Sequence, residues 1–127
     1  MGKLSLFISL VLLLSLVPTA EPFQMELVLD SLDFPLAMAF APDGRLFYAD
    51  KNTGDVRVVQ GDSLLPNPWV TVPNVDPWSE RGLLGIAIDP DFTTNGYIYL
   101  YYTDSSATPD ENRVVRYTEV GVWDRIP

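Results

Sequence analysis

The sequence predicts an all-β chain of stacked four-stranded blades, because one pattern of strands and turns occurs in it twice, 48 residues apart. The first copy, 39–59, contains a Pro-Asp-Gly turn at 42–44, and the second copy, 87–116, has Pro-Asp at 90–91. In each copy an arginine followed by two valines marks a third strand. Repetition at this period is typical of a β-propeller, and about two blades fit into this chain. Because a closed propeller needs about four to eight blades, we expect the chain to be the N-terminal portion of a longer protein.

Turn residues divide each copy into short strands. A proline-rich connection separates the copies and leaves no uninterrupted helical stretch, so no helix is predicted in it. The apolar run at 83–89 is expected to be buried on both faces. The run at 97–103 carries no charge, and we expect its edges to be unprotected and the chain to be oligomeric or aggregated. The predicted strands are 25–29, 36–41, 45–50, 56–60, 83–89, 97–103 and 112–118, with an extended piece at 69–72.

The first twenty residues have the layout of a secretory signal peptide. Lys3 gives a basic start, and the run 4–17 is an apolar core of 14 residues, shorter than the roughly 18 expected of a membrane-spanning helix. We therefore expect a signal peptide at 1–20 and a secreted or periplasmic mature part at 21–127 that belongs to the propeller and has no stable membrane span. An uncleaved N-terminal anchor is the alternative.

The composition excludes some classes of partner. After removal of 1–20, seven Lys or Arg and 17 Asp or Glu remain, which gives a net charge of about −10. Nucleic acid is excluded as a partner on this ground, because binding to it depends on clustered cations. The chain has no Cys, so disulfides cannot contribute to its stability.

One run of the second copy is far more specific than the repeat itself. It reads Glu-Arg-Gly-Leu-Leu-Gly at 80–85, Asp-Pro-Asp-Phe at 89–92 and Asn-Gly-Tyr at 95–97, and it continues through Asn-Arg-Val-Val-Arg-Tyr at 112–117. In these segments the chain resembles the glucose/sorbosone dehydrogenase family. That family comprises soluble sugar dehydrogenases that depend on the quinone PQQ, together with their relatives.

The resemblance implies a function for the longer protein. It implies a six-bladed propeller with PQQ over the central axis, Ca²⁺ between cofactor and protein, and a His general base. An aldose would lose hydride to the quinone, and a separate electron acceptor would regenerate the oxidised quinone. The chain contains no His, so it holds no catalytic residue of this mechanism and we expect it to be inactive alone. We also assign no metal ligand within it.

Two residues, Glu80 and Arg81, are the candidates for cofactor binding. The glucose-oxidising members of the family have Gln at the position of Glu80, close to the cofactor and the substrate. A carboxylate accepts hydrogen bonds from sugar hydroxyls but cannot donate them as Gln can, so the substrate preference is left open. Arg81 has the planar fork that suits a PQQ carboxylate. An ion pair between Glu80 and Arg81 is an equally weighted alternative.

The remaining polar and aromatic groups favour structural roles. The acidic residues suggest turns more than calcium, because their spacing matches no EF-hand-type loop. Alternation along a strand places three tyrosines on one face of a sheet, where packing between blades is expected. Two tryptophans in the proline-rich connection are candidates for sugar contact, with burial as the default. These residues are Asp89, Asp91, Asp104, Asp110 and Glu111, then Tyr97, Tyr99 and Tyr101, and finally Trp69 and Trp78.

Two other functional classes stay open at this stage. A secreted, non-catalytic propeller of the same superfamily could bind a protein or a glycan, and the Glu at position 80 supports it. An unrelated propeller would share only the turn pattern, and the specific run from Glu80 to Thr103 argues against it.

We predict that the chain is exported and cut close to Ala20, because its apolar core fits a signal peptide and is too short for a span. Mass spectrometry of the secreted protein is expected to show a new N-terminus near Glu21. Secreted protein that keeps Met1 to Ala20 would contradict the cleavage, and retention in the membrane would favour the anchor.

Overall fold

The computed structural model describes residues 23–120, and within them the chain forms two antiparallel sheets. Sheet 1 consists of β1 (Pro35–Phe40), β2 (Leu46–Asp50), β3 (Asp55–Gln60), β4 (Ser63–Leu64) and β5 (Val70–Thr71). Sheet 2 consists of β6 (Leu83–Ile88), β7 (Tyr97–Asp104) and β8 (Glu111–Thr118), and helix α1 (Phe92–Asn95) lies between β6 and β7. The predicted signal peptide at 1–20 lies outside the described residues.

Each sheet is a meander of sequential neighbours, as the repeat predicts. The strand order is β1-β2-β3-β4 in sheet 1, where β5 also pairs with β3, and β6-β7-β8 in sheet 2. The six meander strands predicted from the sequence are confirmed, and each predicted boundary differs from the structure by at most one residue. Gly44 takes a φ of 88° in the first turn, a conformation that glycine adopts without a steric penalty. The all-β fold and the two-blade arrangement are thus present.

The prediction of a strand at 25–29 is wrong. Residues 23–34 contain no strand, and Met25 in their middle is 98% exposed. The alternation of apolar residues there fits a strand, but a strand also needs a neighbour for its backbone hydrogen bonds, and no described strand pairs with it. The helix α1 was not predicted either. It has four residues, and among residues 23–120 no helix is long and apolar enough to cross a membrane.

Two expectations about exposure in sheet 2 are also corrected. The strand β7 is the central strand, with β6 on one side and β8 on the other, so the edges of 97–103 are paired. The strand β6 is partly buried on the face of Ile86 and Ile88, while Ala87 on its other face is exposed. The sequence pattern gave the correct strands but could not show which neighbours cover them.

The hydrophobic core lies between the two sheets. Sheet 1 contributes one face of β2 and β3, and sheet 2 contributes the facing side of β6 and β7. Because consecutive side chains of a strand point to opposite faces, each sheet gives only half of its apolar residues to this core. The buried members include Phe47, Ala49, Val56, Val58 and Val72 from the first half and Leu83, Phe92, Ile98, Leu100 and Tyr102 from the second.

An ion pair joins the two sheets at one end of this core. Arg45, directly after the first turn, donates to both carboxylate oxygens of Glu119, which follows β8, and its Nη2 lies 2.9 Å from Glu119 Oε2. Arg45 also donates to Asp43, at 2.8 Å from Nε. The hydrogen bonds with Glu119 raise the pKa of Arg45 above its usual value. The side chains of Arg45 and Glu119 are 13% and 9% exposed, so this pair is partly buried and well connected.

We predict that Phe47→Ala destabilises the fold by about 3–5 kcal/mol, because it removes a fully buried ring that contacts both sheets. Chemical denaturation of the wild-type and variant chains would measure the change in the free energy of unfolding. Phe23→Ala is the matched control, since Phe23 is 90% exposed. Equal losses of stability in the two variants would contradict a shared core centred on Phe47.

Candidate functional site

The candidate site residues lie on the loop that leads from sheet 1 into sheet 2, between Thr71 and Leu83. The first part of this loop runs beside the end of β7. Val75 forms a β-bridge with Asp104, and the Asp76 N–H donates to the Thr103 carbonyl at 3.0 Å. The loop is therefore held by backbone hydrogen bonds before it reaches the candidate residues.

The last part of the loop is fixed against sheet 1. The Leu83 N–H donates to the Lys51 carbonyl at 3.0 Å, and the Gly82 carbonyl accepts from the Thr103 N–H at 3.0 Å. Gly82 has a φ of 143°, and a Cβ at this position would lie 2.6 Å from the carbonyl oxygen of Lys51. Only glycine permits so close an approach in this conformation. The chain consequently enters β6 in contact with both sheets.

A tight turn between these anchors displays Trp78 and Glu80. The Asp76 carboxylate accepts from the Trp78 N–H at 3.0 Å, and the Arg81 N–H donates to the Trp78 carbonyl at 3.0 Å. Ser79 completes the turn with a φ of 55°. Trp78 is 74% exposed, and the Glu80 side chain is also exposed. The turn thus presents an aromatic ring and a carboxylate on a backbone that is locally constrained.

Arg81 pairs with two carboxylates, and neither belongs to Glu80. Its Nη1 donates to Asp76 Oδ2 at 2.6 Å and also to Asp110, which lies in the hairpin between β7 and β8. The hydrogen bond with Asp76 is the main cause that raises the pKa of Arg81, and the same bond lowers the pKa of Asp76. The alternative of a Glu80–Arg81 ion pair is therefore replaced by a bridge from the loop to the hairpin.

This arrangement leaves Arg81 able to bind an anionic ligand. Both ion pairs use Nη1, and within residues 23–120 no hydrogen bond involves its Nε or Nη2. The side chain as a whole is 46% exposed. A guanidinium edge of this kind matches the two oxygens of a carboxylate. The donor set fits a PQQ carboxylate, although Asp76 and Asp110 already pair with this cation.

Lys51 supports the loop and was not identified from the sequence. Its Nζ donates to the Pro77 carbonyl at 3.1 Å and lies 5.4 Å from the centroid of the Phe34 ring. The residue is buried, at 9% exposure. Nothing in a turn sequence of the type Lys-Asn-Thr-Gly indicates burial, so only the three-dimensional arrangement reveals this contact.

The acidic residues that flank β6 and β7 take the structural role favoured by the sequence. Asp89 accepts from the Asp91 N–H and from the Asn95 side chain, each at 2.9 Å, and the bond from Asn95 is the main cause that lowers the pKa of Asp89. Asp104 accepts from the Ser106 N–H at 2.7 Å. Among residues 23–120 no group of three or more His, Cys, Asp or Glu is placed to hold a metal ion.

The aromatic candidates separate into buried and exposed groups. Trp69 belongs with the core, because its ring centroid lies 5.7 Å from that of Phe47 and 6.1 Å from that of Tyr117. Trp78 stays available for contact. The three tyrosines share one face of sheet 2, as predicted, and it is the face turned away from sheet 1. There the Tyr99 hydroxyl donates to Asp89 at 2.9 Å.

Comparison with known proteins agrees with these features. The family model described as "Glucose / Sorbosone dehydrogenase" matches residues 32–125. Quinoprotein glucose dehydrogenase B of Acinetobacter calcoaceticus is 30% identical over 107 residues, which cover 78% of this chain and 22% of that protein. Aldose sugar dehydrogenase YliI of Escherichia coli is 32% identical over 106 residues, which cover 82% of this chain and 29% of that protein.

A solved structure shows the same fold. The PQQ-bound aldose sugar dehydrogenase of Streptomyces coelicolor superposes with a TM-score of 0.64 and 32% identity, over 72% of this chain and 26% of that one. The chain therefore spans about a quarter of the length of these relatives. With the family match extending over most of its length, the chain belongs to the glucose/sorbosone dehydrogenase family.

Proposed function

We propose that the protein carrying this chain is an exported, PQQ-dependent aldose dehydrogenase, and that this chain supplies one wall of its site. The observation that supports the proposal is the loop 76–82. It carries the start of the family run, 80–82, on a constrained turn, where Glu80 is exposed and the Nε and Nη2 of Arg81 make no hydrogen bond among residues 23–120. The activity, the substrate and the electron acceptor of the whole protein are all part of the proposal.

Arg81 is the residue of this chain that we propose for cofactor binding. Its remaining donors, Nε and Nη2, would hold a carboxylate of PQQ, while the pairs with Asp76 and Asp110 keep the guanidinium plane in place. PQQ, when bound, supplies the acceptor for the hydride that leaves the sugar. Because Arg81 already pairs with two carboxylates and Lys51 is buried against the Pro77 carbonyl, other parts of the protein would have to neutralise the rest of the cofactor and bind the proposed Ca²⁺.

Glu80 is proposed to contact the sugar. An ionised carboxylate only accepts hydrogen bonds, so it would select sugars that point hydroxyl donors towards it. The sugar hydroxyl also has to lose a proton during oxidation, which requires a general base because an alcohol is a weak acid near neutral pH. The chain has no His, so this base is proposed to lie elsewhere in the protein.

Export is part of the same proposal. The signal peptide at 1–20 would place the enzyme outside the cytoplasm, where aldoses and an electron acceptor would both have to be available. The acidic charge of the chain, −9 in total, supports a soluble surface that does not bind nucleic acid.

We predict that Glu80→Gln changes the preference among aldoses by about tenfold, because the new side chain can donate a hydrogen bond as well as accept one. The readout is PQQ-dependent dye reduction with Ca²⁺, measured as kcat/KM for several aldoses in the whole protein that carries this chain. The melting temperature should change little, since the side chain is exposed.

Glu26→Gln is the control for this experiment, because it makes the same substitution on the exposed N-terminal segment. Unchanged ratios of kcat/KM in the Glu80→Gln protein would exclude contact with the sugar. A wild-type protein that reduces no dye with any aldose, although it is folded and supplied with PQQ, would exclude the activity itself.

We further predict that Asp110→Asn loosens the loop, because it removes one of the two carboxylates that hold Arg81. Cleavage by trypsin after Arg81 is expected to accelerate by up to about fivefold, the range of an exposed ion pair. Asp62→Asn, at an exposed position away from the loop, is the control. If Asp110→Asn and Asp62→Asn are cut at the wild-type rate, the bridge does not restrain the loop.

A further inference from the structure

Trp78 is a large aromatic residue in an unusual environment. Its side chain is 74% exposed, whereas Trp69 on the same connection packs against the hydrophobic core. Tryptophan is highly buried on average, because its ring offers a large apolar area. Trp78 therefore contributes little to the core of the described fold, and its exposure calls for another explanation.

The backbone on both sides of Trp78 is fixed by hydrogen bonds. The Pro77 carbonyl accepts from the Nζ of the buried Lys51 at 3.1 Å. The Trp78 N–H donates to the Asp76 carboxylate at 3.0 Å, and the Trp78 carbonyl accepts from the Arg81 N–H at 3.0 Å. With the backbone held, only the side-chain torsions of Trp78 remain to be ordered, so a ligand can bind to the ring at a low cost in conformational entropy.

The residue after Trp78 adopts a strained conformation. Ser79 has a φ of 55°, in the left-handed region that is unfavourable for residues other than glycine. Such residues persist only where their surroundings enforce them, and they concentrate at functional sites. The same turn displays the exposed side chain of Glu80. Ligand binding explains a strained turn that presents an aromatic ring and a carboxylate better than stability does.

The turn lies at one end of both sheets, where other loops meet it. The β2–β3 turn reaches it through Lys51, and the β7–β8 hairpin reaches it through Asp110, which pairs with Arg81. Neighbouring sheets in a stack cover each other's faces, so the ends of the strands stay accessible when sheets are added. This placement is typical of binding residues, which are carried on loops at the end of a rigid scaffold.

The chemistry around Trp78 favours a neutral sugar ring as the ligand. Asp76 and Glu80 flank Trp78 in the sequence, and Arg81, the cation of the turn, is paired with two carboxylates. Carboxylates repel an anion but accept hydrogen bonds from hydroxyl groups. The indole offers a flat apolar surface for packing. A sugar ring matches both features, because it carries C–H groups on its faces and hydroxyl groups at its edge.

The exposure of Trp78 assigns it to a part of the substrate that is not oxidised. The reacting ring has to leave water, and Glu80 is the residue of this turn that is proposed to contact it. A ring stacked on a largely exposed indole keeps its other face in solvent, which suits a neighbouring ring of the same saccharide. Binding energy from such a remote ring still raises kcat/KM.

We propose that Trp78 stacks on the sugar ring adjacent to the oxidised one, so that it selects neutral di- and oligosaccharides over free monosaccharides. The inference rests on the proposed function, which supplies the identity of the ligand. Trp78 is then a specificity-determining residue that belongs to this chain.

Kinetics of the whole protein that carries this chain test the proposal, with PQQ and Ca²⁺ supplied and with glucose, maltose and maltotriose as substrates. Trp78→Ala is expected to lower the ratio of kcat/KM for maltotriose to that for glucose by about three- to tenfold, the effect of losing one aromatic contact. The loss should arise mainly in KM. Trp78→Tyr keeps an aromatic ring and is expected to restore most of the ratio, and Phe23→Ala, at an exposed ring of the N-terminal segment, is the control.

Titration calorimetry of the same proteins without PQQ separates this inference from the proposed activity. Maltotriose is expected to bind Trp78→Ala more weakly than the wild type and Phe23→Ala. A wild-type protein that reduces no dye but binds maltotriose through Trp78 would exclude the activity and retain the sugar site. A Trp78→Ala protein with the wild-type ratio of kcat/KM, or with the wild-type affinity for maltotriose, would overturn the inference and leave the dehydrogenase activity standing.

Discussion

The structure depends on one constraint, which is that neither sheet has a hydrophobic core of its own. Each meander is a single layer, and a single layer has to bury one face against another layer. Phe47 lies at the centre of this contact, where its ring meets Trp69 at a centroid distance of 5.7 Å and Phe92 at 6.4 Å. Both contacts are edge-to-face, an arrangement that adds to the stabilisation from burial alone. The helix α1 contributes Phe92 to this contact, and Phe92 is the one residue of this helix that is buried.

The geometry of the candidate site depends on the same contact between the two sheets. The loop that carries Glu80 and Arg81 begins on sheet 1 and ends on sheet 2, and its backbone is bonded to Lys51 on one side and to Thr103 on the other. A displacement of the sheets relative to each other would therefore move the loop. Asp110, one of the two acidic partners of Arg81, adds a third attachment, to the β7–β8 hairpin. A loop with these restraints can hold functional groups in place before a ligand arrives, which reduces the entropy lost on binding.

The sequence predicted the meander strands well because their signals are local. Alternation and turn residues act over a few neighbouring positions, and the meander strands recur in the same order in the second copy, with an offset of 48 residues at the first strand and 56 at the third. Features that depend on distant partners were missed. The segment 25–29 has the composition of a strand but finds no described neighbour, and Arg81 pairs with Asp110, 29 positions away. The burial of Lys51 has the same origin, since its contact with Pro77 arises only after the sheets pack.

The alternation of small and large residues along β1 and β6 has an evolutionary consequence. Each repeat carries, on opposite faces of its first strand, a small half and a large half of the kind that meet between β1 and β6, as at Ala37 and Met38. A tandem duplication of such a unit would bring both halves with it, so the added copy would fit its neighbours without compensating mutations. Lineages could lengthen or shorten the array by whole repeats. The twist between adjacent sheets would decide which numbers of repeats give a stable array, more than the identity of the contact residues would.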